Sequence, residues 1–226
     1  MGTSSLTKLG RLYWLGRYIT RVSIEIPIMS EAYDKAIDGP AFDYQTFCDK
    51  LEIPSAGYRD SDDFIRRFLF DKDDPYSVIS SLSSAYDNAI VLRETISSTA
   101  LSYIQIAVNV MDSAVHGMAP MLEVQGVTDA LYAFRGCIDD NLYDDPSRYT
   151  LKTGSSVERI DMYVRLGLEA DKMAHEMEVL RYRARRVPLR RDGRRLELLL
   201  DLAPNPDPVE NRTLLLDCIE GLFPEM

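Results

Sequence analysis

Gly154-Ser155-Ser156-Val157-Glu158-Arg159-Ile160-Asp161 is the stretch from which the fold of this chain is read. A partial twin stands near the N-terminus, Gly16-Arg17-Tyr18-Ile19-Thr20-Arg21-Val22-Ser23. In each, a glycine is followed one helical turn later by an acid or its substitute, and then by arginine. On a helix, Gly154 shares a face with Glu158, and Gly16 with Thr20. A glycine costs a helix interior roughly 1 kcal/mol relative to alanine. Its presence there points to close approach by another helix or by a ligand. The competing reading is a chance match carrying surface charge. The spacing predicts that the two segments meet across an interior seam.

Outward from these stretches the pattern is helical. Leu9, Leu12, Tyr13, Leu15, Ile19, Val22 and Ile26 recur at three- and four-residue steps. Pro27 is expected to kink or end that helix, with a resumed pattern stopping at Asp38-Gly39-Pro40. Residues 41–74 read as two short helices, the second capped by the Asp60-Ser61-Asp62-Asp63 region. Asp74-Pro75 opens a long helix through Val110, with a soft spot at Ser97-Ser98-Thr99. Met121 to Ile138 gives another helix, and one more runs from about Ser147 towards Arg186, with Val157, Ile160, Val164, Leu168, Met177 and Leu180 inward. Asp192-Gly193 suits a hairpin turn, and Leu196 to Leu200 is ambiguous between strand and helix. Ala203-Pro204-Asn205-Pro206-Asp207-Pro208 reads as a stiff connector to a last helix, Val209 to Phe223. The expected fold is all-α: a bundle of long amphipathic helices, with a small hairpin or extended segment near 187–200. The expected domains are a bundle over 1–202 and a connector plus C-terminal helix over 203–226, packed on it.

Composition narrows the function classes. The 226 residues are 46% hydrophobic, enough for a buried core. Net charge is -10, which argues against nucleic acid as a general partner. The charge is uneven. Residues 181–195 hold eight Arg and one Asp, or +7, while the remainder holds 18 basic and 35 acidic residues, or -17. Cys48, Cys137 and Cys218 form neither a disulfide framework nor a metal-ligand spacing, which suits a reducing cytosol. No apolar run approaches the ~20 residues of a spanning helix, and the opening carries no signal-peptide pattern. The expectation is a cytoplasmic protein with no membrane partner.

Tyr13-Trp14-Leu15-Gly16-Arg17-Tyr18 and the Gly154–Asp161 stretch resemble the bacterial alpha-E family, named for its Glu-Arg motif. Asp74-Pro75-Tyr76-Ser77-Val78-Ile79-Ser80-Ser81-Leu82 and Val91-Leu92-Arg93-Glu94-Thr95-Ile96-Ser97 are similar to its middle segment. The resemblance covers most of residues 9–166. It implies an all-helical cytoplasmic protein, whose genes often stand beside those of circularly permuted ATP-grasp and transglutaminase-like proteins. That association implies an accessory or partner-binding role in a peptide- or amide-modifying system, with a protein of one of those kinds as partner. It names no reaction. The first copy departs from the family pattern: Thr20-Arg21 stands where Glu-Arg is usual, Ser23 replaces a further acid, and Pro27 stands where the second copy has Arg165.

Arg17, Thr20, Arg21, Gly154, Glu158, Arg159 and Asp161 form the candidate site. If the helices cross near their glycines, Arg21 reaches Glu158 and Arg159 faces Thr20. One outcome is a charged clasp that sets helix register. The other is a site in which Arg159, lacking an acid opposite, binds an anionic substrate beside Glu158. Metal is not expected: no Glu-x-x-His occurs, and His116 and His175 read as capping or solvated. No cofactor fingerprint or nucleophile motif appears. Arg181, Arg183, Arg185, Arg186, Arg190, Arg191, Arg194 and Arg195 are the candidate partner-binding set, for an acidic protein or for a second copy of the chain. A purely structural, dimerising protein is the further alternative.

Overall fold

A computed structural model of the chain describes residues 3–117, 119–167, 170–202 and 208–226. Among them every regular element is a helix: α1 (Thr3–Asp38), α2 (Tyr44–Leu51), α3 (Ser61–Phe70), α4 (Val78–Val91), α5 (Arg93–Ile96), α6 (Ser98–Ala114), α7 (Pro120–Glu123), α8 (Gln125–Asn141), α9 (Asp145–Leu166), α10 (Ala170–Ala184), α11 (Gly193–Leu202) and α12 (Pro208–Glu220). The fold is all-α. The helices divide into two compact units, Met1–Thr20 with Leu142–Met226, and Arg21–Asn141. The boundaries fall inside α1 and just after α8; residues 203–207 of the proline-rich stretch lie outside the described residues.

The first unit combines the start of α1 with α9 to α12. Its core joins Leu9 and Tyr13 to Val157, Ile160 and Val164 of α9, Met177 and Leu180 of α10, Leu196 and Leu199 of α11, and Ile219 and Leu222 near the C-terminus. Asp144 starts α9 by accepting the Ser147 N–H at 3.1 Å, and Pro146 occupies its first turn. The single helix expected from Ser147 to Arg186 is two. Gly167, at φ +69°, closes α9 in the left-handed conformation that glycine adopts without a Cβ penalty. Leu168, expected on the inward face, lies outside the described residues. The expected hairpin near 187–200 does not form: α11 begins at Gly193, and residues 187–192 before it hold no regular element. The Asp192 carboxylate accepts the N–H groups of Arg194 and Arg195 at 2.9 and 3.2 Å, and its carbonyl accepts that of Leu196. Asp-Gly here is a helix start, not a turn, because an aspartate that satisfies the first free N–H groups favours the helix.

The second unit contains the rest of α1 and α2 to α8. Residues 21–38 remain helical through Pro27; the ring removes one N–H donor without stopping the helix. Asp43 and Asp60 cap α2 and α3. An aromatic cluster surrounds Phe64, drawing in Phe42, Tyr44, Phe47, Tyr58 and Phe68. The long helix expected to open at Asp74 starts at Val78 behind Ser77, whose hydroxyl accepts the Ser80 N–H. Asp74 is otherwise engaged: it accepts the Tyr76 N–H and the Tyr58 hydroxyl, both at 2.9 Å. That helix then breaks at Leu92 and at Ser97, where φ is +82°. The helix expected over 121–138 is divided into α7 and α8 at Val124. α6 packs between α4 and α8.

Candidate functional site

The two glycine-containing segments meet inside the first unit. A Cβ placed on Gly16 would lie 2.0 Å from the Leu151 carbonyl oxygen; one on Gly154 would lie 2.0 Å from that of Tyr13. Backbone thus packs on backbone, as the missing side chains of both helices permit. The Ser155 hydroxyl donates to the Gly16 carbonyl at 3.2 Å and to that of Leu151 at 3.3 Å, stitching the contact.

Charged side chains line the seam. Arg17 Nε donates to Glu158 Oε2 at 2.6 Å, and its Nη2 lies 3.4 Å from Asp161 Oδ2. Asp161 Oδ1 also accepts from Arg165 Nε at 3.1 Å, and Arg165 continues outward to Glu220 at 3.2 Å. Glu158, Asp161 and Arg165 stand three, four and seven residues apart, so they share one stripe of α9. Glu158 is 0% exposed, Asp161 2%. The Arg17 guanidinium also lies 5.0 Å from the Trp14 ring centre. Burial opposes its charge, but Glu158, then Tyr13 and Asp161, hold its proton more tightly than usual. The Tyr13 hydroxyl is pushed up to about 12 by burial, with Arg17 pulling the other way. Enclosed carboxylates here face guanidiniums, so removing one member strands a buried charge.

Arg17, one turn before Arg21, reaches Glu158; Arg21 belongs to the second unit. Arg159 does not face Thr20. Adjacent residues on a helix point about 100° apart, and Arg159 turns to α10, where Nη1 meets Glu176 Oε1 at 2.5 Å. Thr20 is buried with its hydroxyl unpartnered among the described residues, as is Glu176 Oε2. Arg165 was legible as a residue one turn past Asp161; Glu176 and Glu220 carried no local signal. No group of three or more His, Cys, Asp or Glu among the described residues is placed to hold a metal.

The arginine segment also divides. Arg183 Nη1 donates to the Lys152 carbonyl at 3.1 Å and the Ser156 hydroxyl at 2.7 Å, fastening α10 to α9. Arg191 donates to the Ala184 carbonyl at 3.1 Å, and Arg195 to the Asp217 carbonyl and carboxylate. Arg186 stacks 3.6 Å from the Tyr182 ring centre and donates to the Tyr182 carbonyl. Arg181 comes only to 3.7 Å from Glu178. The guanidiniums of Arg185, Arg190 and Arg194 are exposed and make no hydrogen bond or ion pair with a described residue.

A family model described as "a predicted alpha-helical domain with a conserved ER motif", Alpha-E, matches residues 9–203. The chain belongs to the Alpha-E family. Glu158-Arg159 lies within the matched span, and in this Alpha-E chain its two side chains meet different helices: Glu158 holds α1, Arg159 holds α10. The match continues past Leu166 through the arginine segment. No curated protein matches the chain, and no solved structure does. Among the described residues, no helix is long and apolar enough to cross a membrane.

Proposed function

We propose that this Alpha-E chain is an accessory helical component that binds a protein partner in a peptide- or amide-modifying system, with its Glu-Arg pair acting as a structural clasp. One observation carries the reading: Glu158 has no exposed surface and is taken up by Arg17 at 2.6 Å. A substrate would have to part α1 from α9 to touch it. An enzyme acting on an anionic substrate through Glu158 and Arg159 needs both side chains on one cavity, whereas they diverge to different helices. Arg159 is already neutralised by Glu176. The partner class, an ATP-grasp-like or transglutaminase-like protein, comes from the family resemblance alone.

Glu158→Gln tests the clasp. Breaking a buried ion pair costs roughly 3–5 kcal/mol, so the variant is expected to unfold at markedly lower urea. Where still folded, it is expected to bind an ATP-grasp-like or transglutaminase-like protein of the same host as tightly as the parent in calorimetry. A Glu158→Gln chain of unchanged stability that has lost partner or substrate binding overturns the clasp and makes Glu158 part of a site.

A further inference from the structure

The eight arginines of residues 181–195 perform two tasks. Arg183, Arg191 and Arg195 are used up inside the fold, by carbonyls, a hydroxyl and Asp217. Arg181, Arg185, Arg190 and Arg194 are exposed and not consumed in this way. They open onto two grooves of the first unit. One, of about 740 Å³, is lined by Arg181, Arg185, Arg186 and Tyr182; the other, of about 590 Å³, by Arg190, Arg191 and Arg194. Arg186 is held ready, stacked on Tyr182 and bonded to its carbonyl, so little side-chain freedom remains to be lost on binding.

We infer that this surface docks a short Asp/Glu-rich segment of a protein partner. Guanidinium forks bind carboxylates through paired N–H groups. The grooves are not uniformly basic: Glu178 lines the first, Asp192 and Glu197 the second. A nucleic acid carries a phosphate at every step and would set some beside these acids. An acidic peptide can leave neutral residues opposite them. The rest of the chain carries -17 and repels a broadly acidic partner, but at physiological salt that repulsion is screened beyond ~8 Å. Contact is therefore local and confined to a segment.

The inference deepens the partner-binding reading above and rests on it. Its test uses the full chain and a fluorescein-labelled oligoglutamate, followed by anisotropy. Binding is expected at physiological salt, falling as salt rises further, with a labelled single-stranded oligonucleotide of equal length bound at least about tenfold more weakly. The fourfold variant Arg181→Glu/Arg185→Glu/Arg190→Glu/Arg194→Glu is expected to lose oligoglutamate affinity by about tenfold or more. Because these side chains are exposed, circular dichroism should match the parent; if it does not, Arg185→Gln/Arg190→Gln replaces it, with about a threefold loss expected. Unchanged affinity in the folded variant overturns the inference. So does an oligonucleotide bound as tightly as the peptide, or self-association of the parent, seen in sedimentation, that the variant abolishes. The two readings fail separately: a host partner that binds the fourfold variant normally rejects this surface alone, whereas a parent chain that binds no such partner rejects the accessory role while the peptide titration still judges the surface.

Discussion

Replacing Gly154 by alanine tests the seam at its tightest point. The new Cβ would lie 2.0 Å from the Tyr13 carbonyl oxygen and 2.9 Å from its carbon, both backbone atoms. A carbon approaches a carbonyl oxygen at about 3.3 Å, so α1 and α9 must separate by about 1.3 Å. The Arg17–Glu158 contact starts at 2.6 Å, and a hydrogen bond is lost beyond about 3.2 Å, so a shift of that size opens the clasp. Overpacking costs about 1–3 kcal/mol, the higher helix propensity of alanine returns about 1 kcal/mol, and an opened buried pair adds about 3–5 kcal/mol. The expected loss is about 3–7 kcal/mol, a large part of the 5–15 kcal/mol typical of a domain. Gly16→Ala, 2.0 Å from the Leu151 oxygen, should behave alike, and the double variant should lose less than the sum because one separation relieves both. Gly136→Ala in α8 is the control: nothing lies within 4 Å of its Cβ, so it should gain up to about 1 kcal/mol. Urea unfolding would be followed by the fluorescence of Trp14, the one tryptophan, which sits against Arg17. A Gly154→Ala chain as stable as Gly136→Ala refutes the seam.

Ser97 holds φ at +82° and ψ at 154° while its hydroxyl accepts the Ala100 N–H; Ser97→Gly relieves about 1–3 kcal/mol of backbone strain and gives up a few tenths for the cap, so thermal unfolding should rise, and a fall contradicts the account. Tyr13 keeps its proton to about 12 against an ordinary 10.0; its stabilising contribution is complete below pH 10 and is lost as pH rises towards 12, on the order of 2–3 kcal/mol. Tyr13→Phe should flatten stability over that window in urea titrations, and an unaltered slope rejects the assignment. Asp192→Ala removes the acceptor of two N–H groups at the start of α11 and should cost about 0.5–2 kcal/mol, read as faster hydrogen exchange across residues 193–202.

Much of this organisation is local and so was readable from the chain. A 3.6-residue apolar repeat demands a buried stripe wherever it occurs, and Leu12, Leu15, Ile19 and Val22 are buried as it requires. Asp60 caps α3 because a carboxylate, a helix start and an apolar run coincide there. Breaks were harder to place. Ser97 resembles a soft spot in a continuous helix and is a full interruption; Gly167 resembles one more residue of a long helix and ends it. Apolar periodicity persists across such points because both sides face the same core. Asp192-Gly193 has the composition of a hairpin turn, but the Asp192 carboxylate caps α11, whose Leu196 and Leu199 pack into the first unit.

By itself, the sequence determined that the chain is helical and that Gly16 and Gly154 point to close approach. These follow from the apolar period and from short-range sterics. Only the tertiary structure decided that each glycine makes room for the other helix, that Arg17 is set against Glu158, and that Arg159 turns to Glu176. Residues one turn apart present equivalent stripes, so how α1 meets the acid depends on the crossing point of two helices separated by more than a hundred residues. The division of the arginine segment into fastened and exposed members has the same origin: Lys152, Ser156, Ala184 and Asp217 become acceptors only after α9 to α12 have packed.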